Sequence, residues 1–440
     1  MLYLYRTRTK RDVRQILALT ALLIVVAESG INMFNTSVWT VSRLQYLDEL
    51  DDYALLYETA KGDAAARNDA VQEDADGEKV VRSEDVPFFR VEKFSRKTKN
   101  DGTLVGYPTA SVFSSTMNSY VMDMYKKLGM RYSKVYYGYD GATFFTSALL
   151  NVQYMFGEDG RDEGPLYTQL ADSENITLYR TESTLPFGYV APAGYDLTST
   201  SSNGLKLQNQ MVRELGVEGT LFSKHDSEQK EDDVRFTAGE DGYYYGILTA
   251  SGTKKVELSA DGEIREYSDL KNNAILYLGY LEEGTVATLT NGDDEDESQK
   301  IKADIYRMDE IVLDAALNIL SEESLYNVTY DSTHINGEID MTDEGRLILS
   351  VPYEKGWTVI LDGEEVTPEL FGGALMGFDL ESGHHTIQMH YVPHGSIAGI
   401  LISIASIAIF AAIVLYGRHK RERAEVSPDK VDNDVVIKTT

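Results

Sequence analysis

IAGILISIASIAIFAAIVLY, residues 397–416, decides how the chain is read. The run is about 20 residues long, enough for a helix to cross ~30 Å of hydrocarbon. A helix pairs its backbone N–H and C=O groups internally, as lipid demands. Near the other end, ILALTALLIVVAESGINMF, residues 16–34, has similar length and character. Neither run alternates as a barrel strand would. The first reading is therefore two transmembrane helices, 16–34 and 397–416, with everything else hung between them.

Orientation follows from the flanks. Arg6, Arg8, Lys10, Arg11 and Arg14 accompany the first run, and Arg418, Lys420, Arg421 and Arg423 follow the second. The positive-inside rule then makes residues 1–15 and 417–440 cytoplasmic and puts 35–394 outside a cell membrane crossed twice. A secretory signal with small residues around Ala27-Glu28-Ser29 remains open for the first run, and it leaves the large segment outside as well.

Composition narrows the class. The 440 residues carry 41 Lys/Arg against 71 Asp/Glu, a net charge of −30. Bases concentrate in the flanks, so the outer segment is more acidic still. Such a surface repels nucleic acid and suits sugars, cations or basic partners. There is no cysteine, which excludes disulfides, thiolate zinc sites and cysteine nucleophiles. The outer mass must rest on buried cores, and 29 Tyr and 14 Phe fit β-rich ones.

Periodicity divides the outer segment. Residues 35–85 read as a helical connector and linker. Leu44, Leu47, Leu50, Ala54 and Leu55 form one helical stripe, Asp48, Glu49, Asp51 and Asp52 a solvated face, and 61–85 is polar linker or mobile helix. Residues 86–225 read as an α/β domain, with a strand at 86–94 and a loop at 101–108. A helix follows, capped near Ser114 and Ser115 and stopped at Gly129, then a second at 142–150 and strands at 152–156 and 176–180. Residues 226–300 and 301–394 read as two tandem β-sandwich, jelly-roll-like modules with a helix at 308–320 between their strands. Each contains Asp-Gly between alternating apolar runs, at Asp261-Gly262 and Asp362-Gly363, the signature of a two-residue type I′ hairpin. The fold class is an α+β membrane protein.

Candidate chemistry is sparse. Glu28 and Asn32 lie four apart on one face of the first span, so they are candidate contacts to a partner helix. Tyr107 in the Gly106-Tyr107-Pro108 loop, and Phe187 and Tyr189 in the segment 184–194, are candidate exposed platforms for sugar rings, with core packing as the competing reading. The acidic loop 293–297 lacks calcium-loop spacing and reads as a solvated turn. His384, His385, His390 and His394 do not make a metal site, because a strand carries His384 and His390 ~20 Å apart. No nucleophile elbow, phosphate loop, dinucleotide fingerprint or zinc-protease motif is present. No catalytic residue, metal ligand or cofactor is assigned.

Several stretches together resemble the outer region of YfhO-type bacterial membrane proteins. They are FFRVE at 88–92, GTLVGYPTASVFSSTMNSYVMDMYKKLG at 102–129, SALLNVQYMF at 147–156, LPFGY at 185–189, VPYEKGWTVILDGEEV at 351–366 and FDLESGHHTIQMHYVPHG at 378–395. Glu28 and Asn32 match the tail of the span that enters this region. The resemblance implies a multi-span GT-C glycosyltransferase that moves sugar from a polyprenyl-phosphate donor to a teichoic-acid-like envelope polymer. The sequence departs from that pattern in having two spans instead of a bundle, so it resembles the C-terminal half of such a protein without the catalytic N-terminal half, either as a separate subunit or as a truncated reading. Asp48, Asp51 and Asp52 correspond to a connector and inherit no catalytic role. The expected function is an extracytoplasmic accessory half that docks on a multi-span partner. The alternative is a non-enzymatic envelope protein that binds glycan or protein.

Overall fold

The computed structural model describes residues 11–38, 47, 49–68, 72–73, 79–80, 86–158, 163–197, 201–230, 233–249, 253–292 and 300–425. Asp48 and the acidic loop 293–297 lie outside the described residues. The chain divides into two compact units, residues 1–55 and 56–440.

The first unit is dominated by the helix Arg11–Val38, which includes the apolar stretch Ala18–Phe34. Thr20 closes its own polar requirement by donating to the Ile16 carbonyl at 2.9 Å. Glu28, Ser29, Gly30 and Asn32 dilute the apolar character of this stretch. Among the described residues, one helix is long and apolar enough to cross a membrane, and it is the C-terminal one.

That helix, Ser396–Glu425, belongs to the second unit, and its apolar part is Ser396–His419. Its large side chains are exposed on every face, from Ile397 and Ile400 to Phe410 and Tyr416. A helix that is apolar all round needs apolar surroundings, and the described residues bury none of this one. Ser403 and Ser406 donate back to the carbonyls of Gly399 and Ile402 at 2.8 and 2.7 Å, so neither of these hydroxyls is left to seek water.

The rest of the second unit is mostly β. A mixed four-stranded sheet has the order Arg90–Lys93, Val152–Glu158, Ile176–Thr181, Tyr167–Ser173. Its one parallel pair, Arg90–Lys93 with Val152–Glu158, requires a long crossover. The helices Asp101–Val105, Ser119–Leu128 and Phe144–Leu149 and a three-stranded sheet fill that crossover. Downstream, a four-stranded and a five-stranded antiparallel sheet together line one apolar cluster, which holds Phe236 and Leu289 from one and Leu276 and Ile305 from the other. A second four- and five-stranded pair lines another cluster, which holds Leu347 and Phe378 from one and Ile339 and Met389 from the other.

The two four-stranded sheets are buried on both faces. In Gly242–Leu248, Tyr244 and Leu248 enter the cluster shared with the five-stranded sheet, while Tyr243 and Tyr245 enter the large cluster of the helical layer. In Gly345–Pro352, Leu347 and Leu349 face one way and Ile348 the other. Side chains alternate along a strand, so a strand covered on both sides reads as a continuous apolar run, as GYYYGIL and RLILSV do.

Several expectations change. Ala303–Met308 pairs with Gly242–Leu248, and Gly188–Pro192 pairs with Gly345–Pro352, so strands cross the boundaries drawn at 225 and 301. The loop expected at 101–108 holds the helix Asp101–Val105. The helix expected from Ser114 begins at Ser119 with Asn118 as its cap. Of the expected stripe, Leu47, Ala54 and Leu55 are exposed and Leu50 is half-buried, while Leu44 lies outside the described residues. Leu56, Ala60, Ala64 and Ala65 are buried instead, on the helix Leu50–Arg67. Residues 61–67, expected as linker, are docked: Asp63 accepts from Tyr154 at 2.8 Å and pairs with Arg180 at 3.0 Å. The charges of KGDAAAR suggest a solvated segment, but its small alanines let the helix approach the sheet closely.

Candidate functional site

The principal cavity of the second unit has a volume of about 960 Å³, at the upper end of the ~300–1,000 Å³ usual for small-ligand sites. It opens between the helical layer and the antiparallel sheets of residues 222–308. One wall comes from Ser119–Leu128, Arg131–Ser133 and the start of Phe144–Leu149, the other from Glu263–Tyr267 and Ile275–Leu281. The main chain fixes these walls against one another. Gly129, at φ 81°, ends the first helix, and its carbonyl accepts from the Ile275 amide at 3.1 Å. A β-carbon at Gly129 would meet Ile275 Cδ1 at 2.8 Å, so this contact requires a residue without a side chain.

The inner end is aromatic. Tyr139 shares a 2.6 Å hydrogen bond with Ser147. Burial pushes the Tyr139, Tyr167, Tyr245 and Tyr277 hydroxyls up in pKa, so all stay neutral. The Tyr277 hydroxyl is buried without a hydrogen-bond partner among the described residues. Arg265 lies over the Tyr277 ring at 5.7 Å and donates to both oxygens of buried Glu163 at 3.1 and 3.3 Å. Burial alone would lower the Arg265 pKa, and Glu163 together with Tyr277 and Tyr267 more than offsets that. This ion pair is internally closed.

The rim is charged. Arg96 donates to Tyr136 at 2.7 Å and to Asp140, and reaches Asp269 at 3.5 Å. Arg131 lies 3.7 Å from Asp140 and 3.6 Å from Asp269, and also donates to the Ser268 carbonyl. Lys99 adds a third cation beside Asp269 at 3.5 Å. Lys126 and Lys271 both lie against the Tyr132 ring, at 5.8 and 4.1 Å from its centroid. Partial burial lowers the Lys271 pKa, and the like charges of Lys126 and Arg131 lower it further.

The expected sugar platforms are elsewhere and are covered. Tyr107 is 5% exposed and packs its ring edge-on to Phe156 at 5.5 Å. Phe187 is 7% exposed and packs on Phe88 at 5.2 Å. Tyr189 is fully buried and donates to the Leu149 carbonyl. The reading of these aromatics as exposed is therefore corrected: hydrophobic burial of large rings has taken all three into cores. Glu28 and Asn32 are exposed on Arg11–Val38. Among the histidines, His384 sits on Asp340 at 2.9 Å and His385 on Asp362 at 2.7 Å, while His390 stacks on His334 at 4.7 Å. Among the described residues no group of three or more His, Asp or Glu gathers as a metal site.

The family described as "Bacterial membrane protein YfhO" matches residues 3–403. The chain belongs to the YfhO family. The "Uncharacterized protein YfhO" of Bacillus subtilis (strain 168) is 21% identical over 394 residues, which is 78% of this chain and 44% of that protein. The chain thus spans less than half the length of this curated relative. Among solved structures, a GH2 beta-galacturonidase from Eisenbergiella tayi aligns with 37% of this chain and 29% of its own at 9% identity, with a TM-score of 0.14. Quercetin 2,3-dioxygenase from Acinetobacter baumannii aligns with 39% and 79% at 7% identity, with a TM-score of 0.11. Likenesses of that size carry no argument about fold or activity. As a YfhO-family protein with an apolar C-terminal helix, the chain is a membrane protein.

The YfhO-like stretches do structural work around the cavity. Helix Ser119–Leu128, inside the stretch 102–129, forms a wall and supplies Lys126. Arg90 of FFRVE donates to the carbonyls of Leu150 and Ser350 at 2.6 and 2.7 Å, which joins the mixed sheet to Gly345–Pro352. The remaining cavity residues, from Lys93 to Gly373, come from several separate segments and form no motif.

Proposed function

We propose that this chain is the outer half of a polyprenyl-phosphate-dependent, GT-C-type glycosyltransferase system that acts on cell-envelope polymers. The observation that carries this reading is the YfhO match over residues 3–403 in a chain that spans 44% of its relative's length. In this reading the chain crosses the membrane at 16–34 and 397–416, both termini are cytoplasmic, and two β-sandwich modules stand outside. A multi-span companion supplies the groove for the lipid-linked donor. A carboxylate within a span is expensive in lipid, so Glu28 with Asn32 is the face that meets the companion. The cavity receives the acceptor saccharide.

Co-purification of the tagged full chain from native membranes tests this. A multi-span protein is expected to accompany it, and the yield of that companion is expected to fall several-fold in the double variant Glu28→Leu/Asn32→Leu. Recovery of the chain alone, under mild detergent and after cross-linking, contradicts the reading.

One observation favours a second reading, a non-enzymatic glycan- or protein-binding role. The cavity sets neutral tyrosines behind a charged rim, which suits holding a saccharide without transferring it. Saccharide binding by the chain without any transferase companion supports that alternative.

A further inference from the structure

The cavity's charge is opposite to that of the protein. Its lining carries seven Lys/Arg and five Asp/Glu on a chain whose net charge is −30. The inner Glu163 is spent on Arg265, and Lys93 is bound to Asp101 at 3.3 Å. At the rim, Arg96, Lys99 and Arg131 share only Asp140 and Asp269. Lys126 and Lys271 have no acidic partner among the described residues, and they converge on one tyrosine ring. Like charges brought together repel. Deeper in, Tyr277 presents a buried hydroxyl with no protein partner among the described residues, and a buried hydroxyl without a partner is unfavourable.

We infer that this cavity binds an anionic saccharide, with Lys126, Lys271 and Arg131 holding its phosphate or carboxylate and Tyr277 bonding a sugar hydroxyl. The inference rests on the reading of the cavity as the acceptor-holding site and adds the ligand's charge and the residues that read it. Arg131 suits the role because its Nη1 makes no hydrogen bond and its nearest acid oxygen lies 3.6 Å away. Lys126 and Lys271 are exposed, so an incoming anion meets them first. The neutral tyrosines behind them accept the uncharged part of a sugar without a desolvated charge.

The test is ligand-observed NMR titration of the full chain in a non-ionic detergent with glucose 6-phosphate, glucuronate, glucose and inorganic phosphate. At low salt, one or both anionic sugars are expected to bind at least tenfold more tightly than glucose, with the tighter of the two identifying phosphate or carboxylate. That advantage is expected to shrink with added salt. Lys126→Gln/Lys271→Gln is expected to abolish it while leaving the unfolding temperature unchanged. Tyr277→Phe is expected to weaken glucose and the anionic sugars alike by a few-fold. Three results overturn the inference: glucose binding as tightly as the anionic sugars, no effect of the lysine substitutions, or inorganic phosphate binding as tightly as glucose 6-phosphate. Companion co-purification depends on none of these side chains, so its failure is read separately.

Discussion

Arg90 and Glu92 are two residues apart on one strand; Glu92 is buried and Arg90 is half-buried. Arg90 is held by main-chain carbonyls and lies over the Phe88 ring at 4.9 Å. Glu92 accepts from the Ala110 amide at 2.7 Å and from Thr109. Burial nevertheless dominates over those bonds and pushes the Glu92 carboxyl up to about 7. Folding therefore takes up a proton here between the ordinary value of 4.5 and about 7. The associated stability is fully present below pH 4.5 and is lost as pH rises through about 7, an effect on the order of 3 kcal/mol. Glu92→Gln keeps the shape and removes the titration. Chemical unfolding at pH 5 and pH 8 is expected to show the wild type losing stability relative to the variant across that interval, whereas parallel profiles would contradict the assignment. The FFRVE stretch was visible in the sequence, but its two charges were not legible as interior groups. Their partners, Leu150, Ser350, Thr109 and Ala110, come from distant segments.

Among the elements, the Asp-Gly hairpins were the most legible feature. Asp261 and Gly262 have φ of 48° and 82°, and Asp362 and Gly363 have 52° and 87°. They close Ala260 against Glu263 and Leu361 against Glu364 in adjacent register. A type I′ turn needs positive φ at both central positions, so two residue types fix the local geometry without tertiary help. The helix at Glu310–Ser321 was legible for a similar reason, since its Asp309 cap accepts from the Ile311 and Val312 amides. The start of Ser119–Leu128 was less so: Ser114, Ser115, Thr116 and Asn118 all precede it, and tertiary contact selects Asn118, whose side chain also donates to the Tyr353 carbonyl at 2.7 Å. Glycines of two kinds separate under substitution. Gly262 has open space around it, so Gly262→Ala is expected to cost about 1 kcal/mol of backbone strain. At Gly204 a β-carbon would sit 2.2 Å from the Leu128 carbonyl oxygen, and Gly204→Ala is expected to cost more, about 2–3 kcal/mol as the layers shift. Thermal unfolding of the two variants side by side checks the order, and a reversed order would contradict the packing described.

At the scale of the whole molecule, the apolar run at 397–416 and the β-rich character of residues 226–394 could be read directly. The chain's division could not. The two four-stranded sheets serve two cores each, so strands such as Gly188–Pro192 leave their sequence neighbours to pair far downstream. The cavity was equally hidden, because its rim joins Arg96, Lys126, Arg131 and Lys271 from separate elements. The aromatics that stood out in the sequence are instead core residues. The central claim is that this mass lies on the outer side of the membrane, where an envelope polymer can reach the cavity. The chain has no cysteine, which makes single-cysteine labelling unambiguous. Ser223 is exposed on the strand Phe222–His225, and Ser427 follows the apolar run. Intact cells treated with a membrane-impermeant maleimide are expected to label Ser223→Cys and to leave Ser427→Cys unlabelled until the membrane is permeabilised. Labelling of Ser427→Cys with protection of Ser223→Cys would contradict the account.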